Sequence, residues 1–317
     1  MSPKRVVAVT GATGFLGLHL IPALARAGAH VRILARRDPT HPAWQGVDFE
    51  TVRGSLEDKQ ALARLVSGAD AVVHAAGLIK ARNRTAFLHI NAGGTAAVAQ
   101  ATRQNAPQAR FIAISSLAAR EPQISDYAFS KREGENAAHA AYTDAPAQLV
   151  IIRPPAIYGP WDRETLEAFK AASRPIAPII GQGRIAVVHV TDAAAAIAAL
   201  AMGAGEAGLY ALADTRPEGY SMVEFLSEAG RAVGNTPRFI RMPDGIILAA
   251  GAISGWWGRV RGQAPIFTKG KARELLHPDW SVTQAELLPA AIHRPEISLS
   301  EGFAATAAWY RRAGWLG

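Results

Sequence analysis

The sequence lacks cysteine altogether and has no long apolar run. None of its 317 residues is cysteine, which excludes disulfide scaffolds, thiolate zinc sites, iron–sulfur clusters and cysteine nucleophiles. No stretch of about 20 apolar residues occurs, so we expect no membrane-spanning segment. The N-terminal stretch 1–9 has no signal-peptide apolar region. The length predicts one large or two small domains, and a hydrophobic fraction of 49% predicts a globular protein with a sizeable core. Since we expect neither a signal peptide nor a membrane-spanning segment, we expect the protein to be cytoplasmic.

Acidic residues are scarce relative to basic ones. Lys and Arg total 34 against 26 Asp and Glu, a formal net charge of +8. Most of the excess is local, since the basic segment Arg231–Arg273 holds eight bases and a single acid, Asp244, and so carries +7. The eight bases are Arg231, Arg238, Arg241, Arg259, Arg261, Lys269, Lys271 and Arg273. The histidines show no metal-ligand spacing, so we expect no metal site.

A glycine-rich turn follows the first apolar run. Arg5–Thr10 is predicted to be a buried strand, and the turn Gly11-Ala-Thr-Gly14-Phe-Leu-Gly17 leads into a helix that Gly28 ends. Between a strand and a helix, such glycines let the backbone approach a pyrophosphate that helix N-terminal amides hold. This pattern predicts a dinucleotide site.

The end of the second strand bears on the cofactor. His30–Ala35 is the predicted strand, and Arg36 and Arg37 follow it directly, with an acid only at Asp38. An acidic residue at this point holds the ribose 2′-hydroxyl of NAD, whereas an arginine accommodates the 2′-phosphate of NADP. We expect NADP(H) in preference to NAD(H); the alternative is a pair of solvated surface arginines.

Strand-like and helix-like segments alternate through the first half. Further strands are predicted at Val47–Gly54, Asp70–Ala76, Phe111–Ser116 and Leu149–Arg153. The expected fold is α/β, a Rossmann-type doubly wound parallel sheet with a smaller, mostly helical C-terminal substrate region. We assign 1–153, with about 184–214 returning to it, to the cofactor domain, and 154–183 with 215–317 to the substrate region.

A tyrosine and a lysine are spaced for one helix face. Tyr127 and Lys131 stand at i and i+4. A phenol with a pKa near 10 is a poor acid or base at neutral pH, and a nearby ammonium favours its ionised form. Ser115 and Ser116 close a predicted strand at the sheet edge where ligands bind, and Asn91 precedes that strand on a helix.

These motifs together resemble an extended short-chain dehydrogenase/reductase along the whole chain. The matching segments are Thr10–Gly17, His74–Gly77, Asn91–Thr95, Tyr127–Lys131, Arg153–Pro160, His189–Asp192 and Glu301–Tyr310. The resemblance implies that Tyr127 exchanges a proton with the substrate oxygen and that Lys131 assists it and binds the nicotinamide ribose. It also implies that Ser116 positions the carbonyl or hydroxyl and that Asn91 supports the proton relay.

The resemblance also implies a set of cofactor-contacting residues. Ser55 stands where the family usually has an aspartate against adenine. The implied set is Gly11, Thr13, Gly14, Phe15, Leu16, Gly17, Arg36, Arg37, Ser55, Leu56, Ala75, Ala76, Gly77, Tyr127, Lys131, Pro154 and Ile157.

Two departures from the family pattern bear on which of the family's reactions this chain catalyses. Sugar-nucleotide dehydratases of the family have an Asp-Glu pair after the catalytic hydroxyl, and here Leu117 and Ala118 follow Ser116. Nucleotide-sugar epimerases place an arginine four residues before the His-Val-x-Asp motif, where this chain has Ile185 and has Arg184 one residue away. Both departures disfavour nucleotide sugars as substrates.

The basic segment contains an apolar stretch, Ile246–Ile253, followed by Trp256 and Trp257. This composition is typical of an interfacial helix, so residues of about 241–261 are predicted to contact an anionic membrane, and the protein to be cytoplasmic with a peripheral membrane contact. The alternative is a core helix or a dimer interface. Regularly spaced stacking aromatics are absent, so we expect no nucleic-acid partner.

Within the family, this region is similar to the branch of 3β-hydroxysteroid dehydrogenases and ceramide-type ketone reductases. The expected function is an NADP(H)-dependent oxidoreductase that interconverts a ketone and a secondary alcohol on a small, lipophilic, sterol- or sphingolipid-type substrate. The alternatives are a nucleotide-sugar epimerase with tightly bound NAD and a non-catalytic NADPH-binding accessory subunit, as in respiratory complex I. Reaction direction and oligomeric state stay open.

Overall fold

The computed structural model describes residues 4–260 and 267–316; Arg261, at the end of the predicted interfacial segment, lies outside them. Strands and helices alternate along the first half. The strands are β1 Val6–Thr10, β2 His30–Ala35, β3 Glu50–Arg53, β4 Ala71–His74, β5 Arg110–Ile114, β6 Leu149–Arg153, β7 Ala156–Tyr158, β8 Ile176–Ile179, β9 Arg184–Ile185, β10 Val187–His189, β11 Gly208–Ala211, β12 Tyr220–Ser221, β13 Arg238–Arg241 and β14 Asp279–Trp280. The α-helices are α1 Phe15–Arg26, α2 Lys59–Val66, α3 Arg84–Leu88, α4 Gly94–Asn105, α5 Asp126–Ala141, α6 Leu166–Ala172, α7 Val190–Ala201, α8 Met222–Val233, α9 Asp244–Val260, α10 Lys269–Leu276 and α11 Leu299–Arg312.

A seven-stranded sheet is the largest element. Its order is β11-β6-β5-β4-β1-β2-β3, and β1 to β6 pair in parallel. The order turns back on itself between β1 and β4, which is where open α/β sheets bind ligands at the carboxyl ends of their strands. The predicted Rossmann-type fold is confirmed.

The strands are buried because their runs of aliphatic residues face helices on the sheet. Val7, Val9, Val72 and Ile112 have no exposed surface. The third strand is shorter than the predicted Val47–Gly54, because Val47 still hydrogen-bonds back to a 3-10 helix, Pro42–Trp44. Hydrophobic side chains therefore extend the apparent strand beyond its ladder.

The chain forms two compact units. The first contains residues up to Arg153 together with Ala193–Tyr210 and Leu288–Arg294, and it holds most of the large sheet. The second contains Pro154–Asp192, Ala211–Leu287 and the residues from Pro295 onward.

The second unit has its own aromatic core and small sheets. Phe169, Phe303 and Tyr310 are fully buried there, and Phe303 packs edge-on against Tyr158 with ring centroids 4.9 Å apart. The short sheets are β10-β7, β12-β9-β14 and β13-β8. Across the described residues, no helix has the length and apolarity needed to cross a bilayer.

Candidate active site

The turn after β1 needs glycine at two positions. Gly11 has φ +76°, and a Cβ there would lie 2.4 Å from the backbone nitrogen of Ala76. A Cβ on Gly17 would lie 2.2 Å from the carbonyl oxygen of Ala12. The first contact brings the ends of β1 and β4 together, and the second lets α1 pack closely on the turn. The glycine pattern therefore shapes a concave backbone at the sheet edge.

The first turn of α1 fits a pyrophosphate. Gly14 is the N-cap and offers no side-chain cap, so the first-turn amides around Phe15 and Leu16 receive no side-chain acceptor. Thr13 and Gly14 are exposed. Amides that lack a capping side chain at a helix N-terminus favour an anion, and the glycine backbone beside them leaves room for one. The residues present thus fit a dinucleotide cofactor.

The segment after β4 lines the neighbouring strand end. Ala75 and Ala76 are half-buried and Gly77 is exposed. The imidazole of His74 is buried, shares a 2.7 Å hydrogen bond with the Thr10 hydroxyl and has its pKa lowered to about 3 by that burial and by the Lys131 charge. His74 is therefore neutral and ties β1 to β4 at the cofactor end.

The end of β2 presents cations. Arg36 and Arg37 are both exposed immediately after Ala35. Asp38 is held by Arg53, whose Nε donates to its carboxylate at 3.0 Å while a guanidinium nitrogen contacts the other oxygen. The acid that follows this strand most closely in sequence is thus already paired.

Ser55 and Leu56 follow β3. The Ser55 hydroxyl accepts a hydrogen bond from the Glu57 amide at 3.3 Å. The Leu56 side chain leans onto Gly94 at the start of α4, where a Cβ would come within 2.8 Å of it. Both residues are half-buried.

Asn91 lies in a π-helical turn, His89–Gly93, between α3 and α4. Its buried amide donates to the Leu78 carbonyl at 3.0 Å and to the Ser130 hydroxyl at 2.8 Å, and accepts from the Leu78 amide at 2.7 Å. Widened turns of this kind are frequent at functional sites. Sequence reasoning missed the π turn and Ser130, since no residue pattern marks either.

Tyr127 and Lys131 share one face of α5, as their spacing predicted. The Tyr127 ring is half-buried, with its centroid 6.0 Å from that of Phe87. The Lys131 ammonium donates to the Ile114 carbonyl at the end of β5, at 2.7 Å. Burial lowers the pKa of Lys131 to about 8, against a smaller opposing effect of Glu135.

The two serines after β5 have different partners. Ser115 is buried and donates to the Glu135 carboxylate, which also accepts two hydrogen bonds from Arg153, at 2.8 and 2.6 Å. Ser116 is half-buried and caps the 3-10 helix Leu117–Arg120, accepting from the Ala118 amide at 3.2 Å. Ser115 is thus part of a buried ion-pair cluster with Glu135 and Arg153. Ser116 follows the same strand but caps the 3-10 helix instead of bonding to Glu135.

Pro154 and Ile157 belong to the second unit, whereas the other candidate residues belong to the first. Ile157 lies on β7, paired with Val188 of β10. In the same unit, Asp192 accepts hydrogen bonds from the Glu296 and Ile297 amides and so anchors the chain before α11.

Arg184 is also committed within the second unit. Its guanidinium donates to the carbonyls of Glu218 and Gly219 at 2.7 and 2.6 Å. Ile185, at the position where epimerases have arginine, is half-buried against the aromatic core. In the part of the chain that the structure describes, no group of histidine and acidic side chains could hold a metal.

Comparison with known proteins identifies the family. A model of the NAD dependent epimerase/dehydratase family matches residues 7–210. The ceramide reductase of Caulobacter vibrioides is 48% identical over 315 residues, 99% of this chain and 96% of that protein. The 2-alkyl-3-oxoalkanoate reductase of Stenotrophomonas maltophilia is 29% identical over 326 residues, 93% of this chain and 96% of that protein.

A solved structure agrees at the level of fold. That of gox2253 has a TM-score of 0.77 at 21% identity and covers 99% of this chain and 100% of its own. The predicted resemblance is confirmed. With a family match over more than half its length and reductases aligned along nearly all of it, the chain belongs to the NAD dependent epimerase/dehydratase family and is an NAD(P)-dependent enzyme of the oxidoreductase type.

Proposed function

We propose that this enzyme interconverts a ketone and a secondary alcohol on a lipid-like substrate with NADP(H). We assign cofactor binding to the first unit and to Pro154 and Ile157, and substrate binding to other residues of the second unit. The observation that carries the proposal is the placement of Lys131. Its ammonium is held at the carboxyl end of β5, on the helix face that it shares with Tyr127.

The first unit supplies the proton chemistry. In the direction of reduction, Tyr127 donates its phenolic proton to the carbonyl oxygen, and the Lys131 charge favours the phenolate that remains. Ser116 hydrogen-bonds the same oxygen and orients it. Asn91, fixed by three hydrogen bonds, holds the π turn beside α5 and supports return of the proton from solvent.

The nicotinamide supplies or accepts the hydride when the cofactor is bound. On the substrate, reduction replaces the carbonyl π bond by one C–H and one O–H bond; the proton comes from the O–H of Tyr127 and the hydride from the reduced cofactor when it is bound, and oxidation reverses both transfers. No covalent bond to the protein is needed, so positioning and proton transfer are the contributions of the chain.

Charge at the end of β2 supports NADP(H). Arg36 and Arg37 are exposed and can meet a 2′-phosphate. Asp38, the only acid within three residues of β2, is paired with Arg53, so it is poorly placed to hold a ribose 2′-hydroxyl.

The substrate class rests on the names of the relatives and on three residues, Arg184, Leu117 and Ala118. Two relatives that align along almost the whole chain are named for a ceramide and for an alkylated oxoalkanoate. Two of the guanidinium nitrogens of Arg184 already donate to backbone carbonyls, which disfavours this residue as a diphosphate clamp. Leu117 and Ala118 are buried and apolar, and they provide no acid–base pair for eliminating water.

The proposal includes a cytoplasmic location with a peripheral membrane contact through residues of about 241–261. A keto-lipid is poorly soluble, so an enzyme that acts on it gains from contact with the surface that holds it.

Cofactor consumption tests the proposal. Purified protein is incubated with NADPH and one of three substrates: an N-acyl 3-ketosphinganine, a 3-ketosteroid or UDP-glucose. Oxidation of NADPH is measured in every case, and with UDP-glucose the sugar product is also identified. We expect NADPH-dependent reduction of a keto-lipid, loss of it in Tyr127→Phe, and normal rates in Tyr210→Phe, whose hydroxyl bonds the Glu206 carbonyl.

Two outcomes contradict the proposal in different ways. Epimerised sugar without net cofactor consumption would make the protein a nucleotide-sugar epimerase. NADPH binding without turnover of any of the three substrates, and unchanged by Tyr127→Phe, would make it an accessory subunit.

A further inference from the structure

α9 presents an uncharged surface over four turns. Between Asp244 and Arg259 the sequence has no charged residue. At 100° per residue, Ile246, Ala250, Ile253 and Trp257 share one face of the helix, and Trp256 borders it. The face is therefore continuous and apolar.

This face is exposed. The relative exposures are 53% for Ile246, 59% for Ile253, 56% for Trp256 and 49% for Trp257. Only eight large hydrophobic side chains of the described residues are exposed, and half of them lie here; a fifth, Ile240, ends just before the helix. Contiguous apolar surface of this kind marks an interaction site rather than ordinary scatter.

The opposite face holds the helix in place. Ile247 and Gly251 are buried, and a Cβ on Gly251 would lie 2.8 Å from the Thr268 carbonyl oxygen at the start of α10. Glycine thus allows the backbone of the α10 cap to approach closely. We call the exposed face with Ile246, Ile253, Trp256 and Trp257 the Ile–Trp face. Because α9 is packed on its other side, this face is held in a fixed position.

Cations accompany the apolar face. Arg241 on β13 and Lys269 and Arg273 on α10 are exposed, and α10 packs against α9. Lys271 is paired with the buried Glu274 at 3.1 Å. Among the described residues of β13, α9 and α10, Asp244 is therefore the exposed acid, and it lies at the N-terminus of α9, where the helix dipole favours it.

We propose that the Ile–Trp face of α9 docks on an anionic lipid bilayer, with isoleucines and tryptophans entering the headgroup region and Arg241, Lys269 and Arg273 meeting lipid phosphates. Tryptophan suits this depth because its ring is apolar and its N–H is polar. A bilayer is favoured over a second copy of the chain, since a two-fold contact would bring two sets of like charges together.

This inference deepens the proposed function by naming the surface at which the enzyme meets its substrate, and it rests on that function only for its purpose. Binding needs no turnover, so the two fail separately. An enzyme that reduces keto-lipids in detergent but does not bind vesicles retains the proposed reaction and loses both the docking surface and the proposed membrane contact.

Co-sedimentation of the purified full chain with vesicles tests the docking surface. Vesicles are either phosphatidylcholine alone or an equal mixture of phosphatidylcholine and phosphatidylglycerol, at low and high salt. We expect binding to the anionic vesicles that weakens with salt as screening grows. The double variant Trp256→Ala with Trp257→Ala should weaken vesicle binding by at least about tenfold, because the loss of each ring removes a large apolar area from the interface.

Matched variants separate the two parts of the surface. Val223→Ala removes an exposed aliphatic side chain on α8 and should leave binding unchanged. Lys269→Gln with Arg273→Gln should weaken binding to anionic vesicles and reduce its dependence on salt. Circular dichroism and reduction of a short water-soluble ketone should be unchanged in all of them.

Three results would overturn docking on lipid. They are absence of binding to either vesicle, binding that the tryptophan pair does not affect, and a concentration-dependent dimer in ultracentrifugation that the same pair abolishes. The last would assign the face to a second copy of the chain.

Discussion

α5 and α9 each reverse the usual distribution of polar and apolar residues. α5 places charged groups inside: Glu135 is 4% exposed and pairs with Arg153, and Lys131 has its pKa lowered by burial. α9 places isoleucine and tryptophan outside. Because buried charge and exposed apolar surface both cost free energy, each marks a site where function outweighs stability. The two helices differ in what offsets this cost: hydrogen bonds within the protein do so for α5, and the lipid surface proposed above would do so for α9.

The strongest test of the α5 side is removal of one hydroxyl. Tyr127→Phe should lower the rate of ketone reduction by about 10²–10⁴-fold, the usual contribution of a positioned proton donor, with folding retained. Steady-state kinetics with NADPH measure this. A rate within a few-fold of wild type would remove Tyr127 from the proton path.

The buried ion pair should dominate the stability of the same region. Glu135→Ala leaves Arg153 half-buried without its carboxylate and should lower the free energy of unfolding by about 3–5 kcal/mol. Urea denaturation measures this. As a control, Glu167→Ala breaks an exposed pair with Lys170 and should change stability by less than about 1 kcal/mol.

Titration of Lys131 should appear as a pH dependence. Its pKa is about 8 in the folded protein and 10.5 ordinarily, so between these values the unfolded chain binds more protons. Stability from this group therefore rises as pH increases from 8 and is lowest below 8. Between pH 7 and pH 10, wild type should gain about 2–3 kcal/mol relative to Lys131→Met. The free energy of unfolding is measured as a function of pH for both proteins. If the two pH profiles are parallel, the pKa of Lys131 is not lowered by folding and the lysine is exposed to water.

A smaller effect is expected at the exposed cations of the first unit. Arg36→Ala should reduce the preference for NADPH over NADH by about tenfold, the loss of one charge-assisted contact of about 1.4 kcal/mol. Equilibrium binding of both cofactors measures the ratio. Arg26→Ala, at the far end of α1, is the control, and equal ratios in all three proteins would contradict a 2′-phosphate site.

The smallest effect should be on the stability of the α9 surface. Replacing Trp256 and Trp257 by alanine should change the free energy of unfolding by less than about 0.5 kcal/mol, because exposed side chains contribute little to the core. Urea denaturation without lipid measures this. A loss of several kcal/mol would mean that the tryptophans are packed in the protein and would remove the contrast with α5.

Much of the fold, and the local spacing within the candidate site, could be predicted from the sequence. The turn Gly11–Gly17 and the Tyr127–Lys131 spacing depend on local backbone geometry, which short-range sequence encodes. The partners of these groups were not accessible. Ser130 reaches Asn91 across 39 positions and Lys131 reaches the Ile114 carbonyl across 17, and no local pattern specifies such pairs.

The residue sequence by itself determined the alternation of strands and helices, the glycine turn, the spacing of Tyr127 and Lys131 and the charge of the C-terminal segment, because these follow from side-chain chemistry and period. Only the tertiary structure decided which of Ser115 and Ser116 joins the Glu135 cluster, how far burial shifts the Lys131 pKa, and which face of α9 stays exposed. Each of these depends on what surrounds a side chain, and chain segments distant in sequence supply those surroundings.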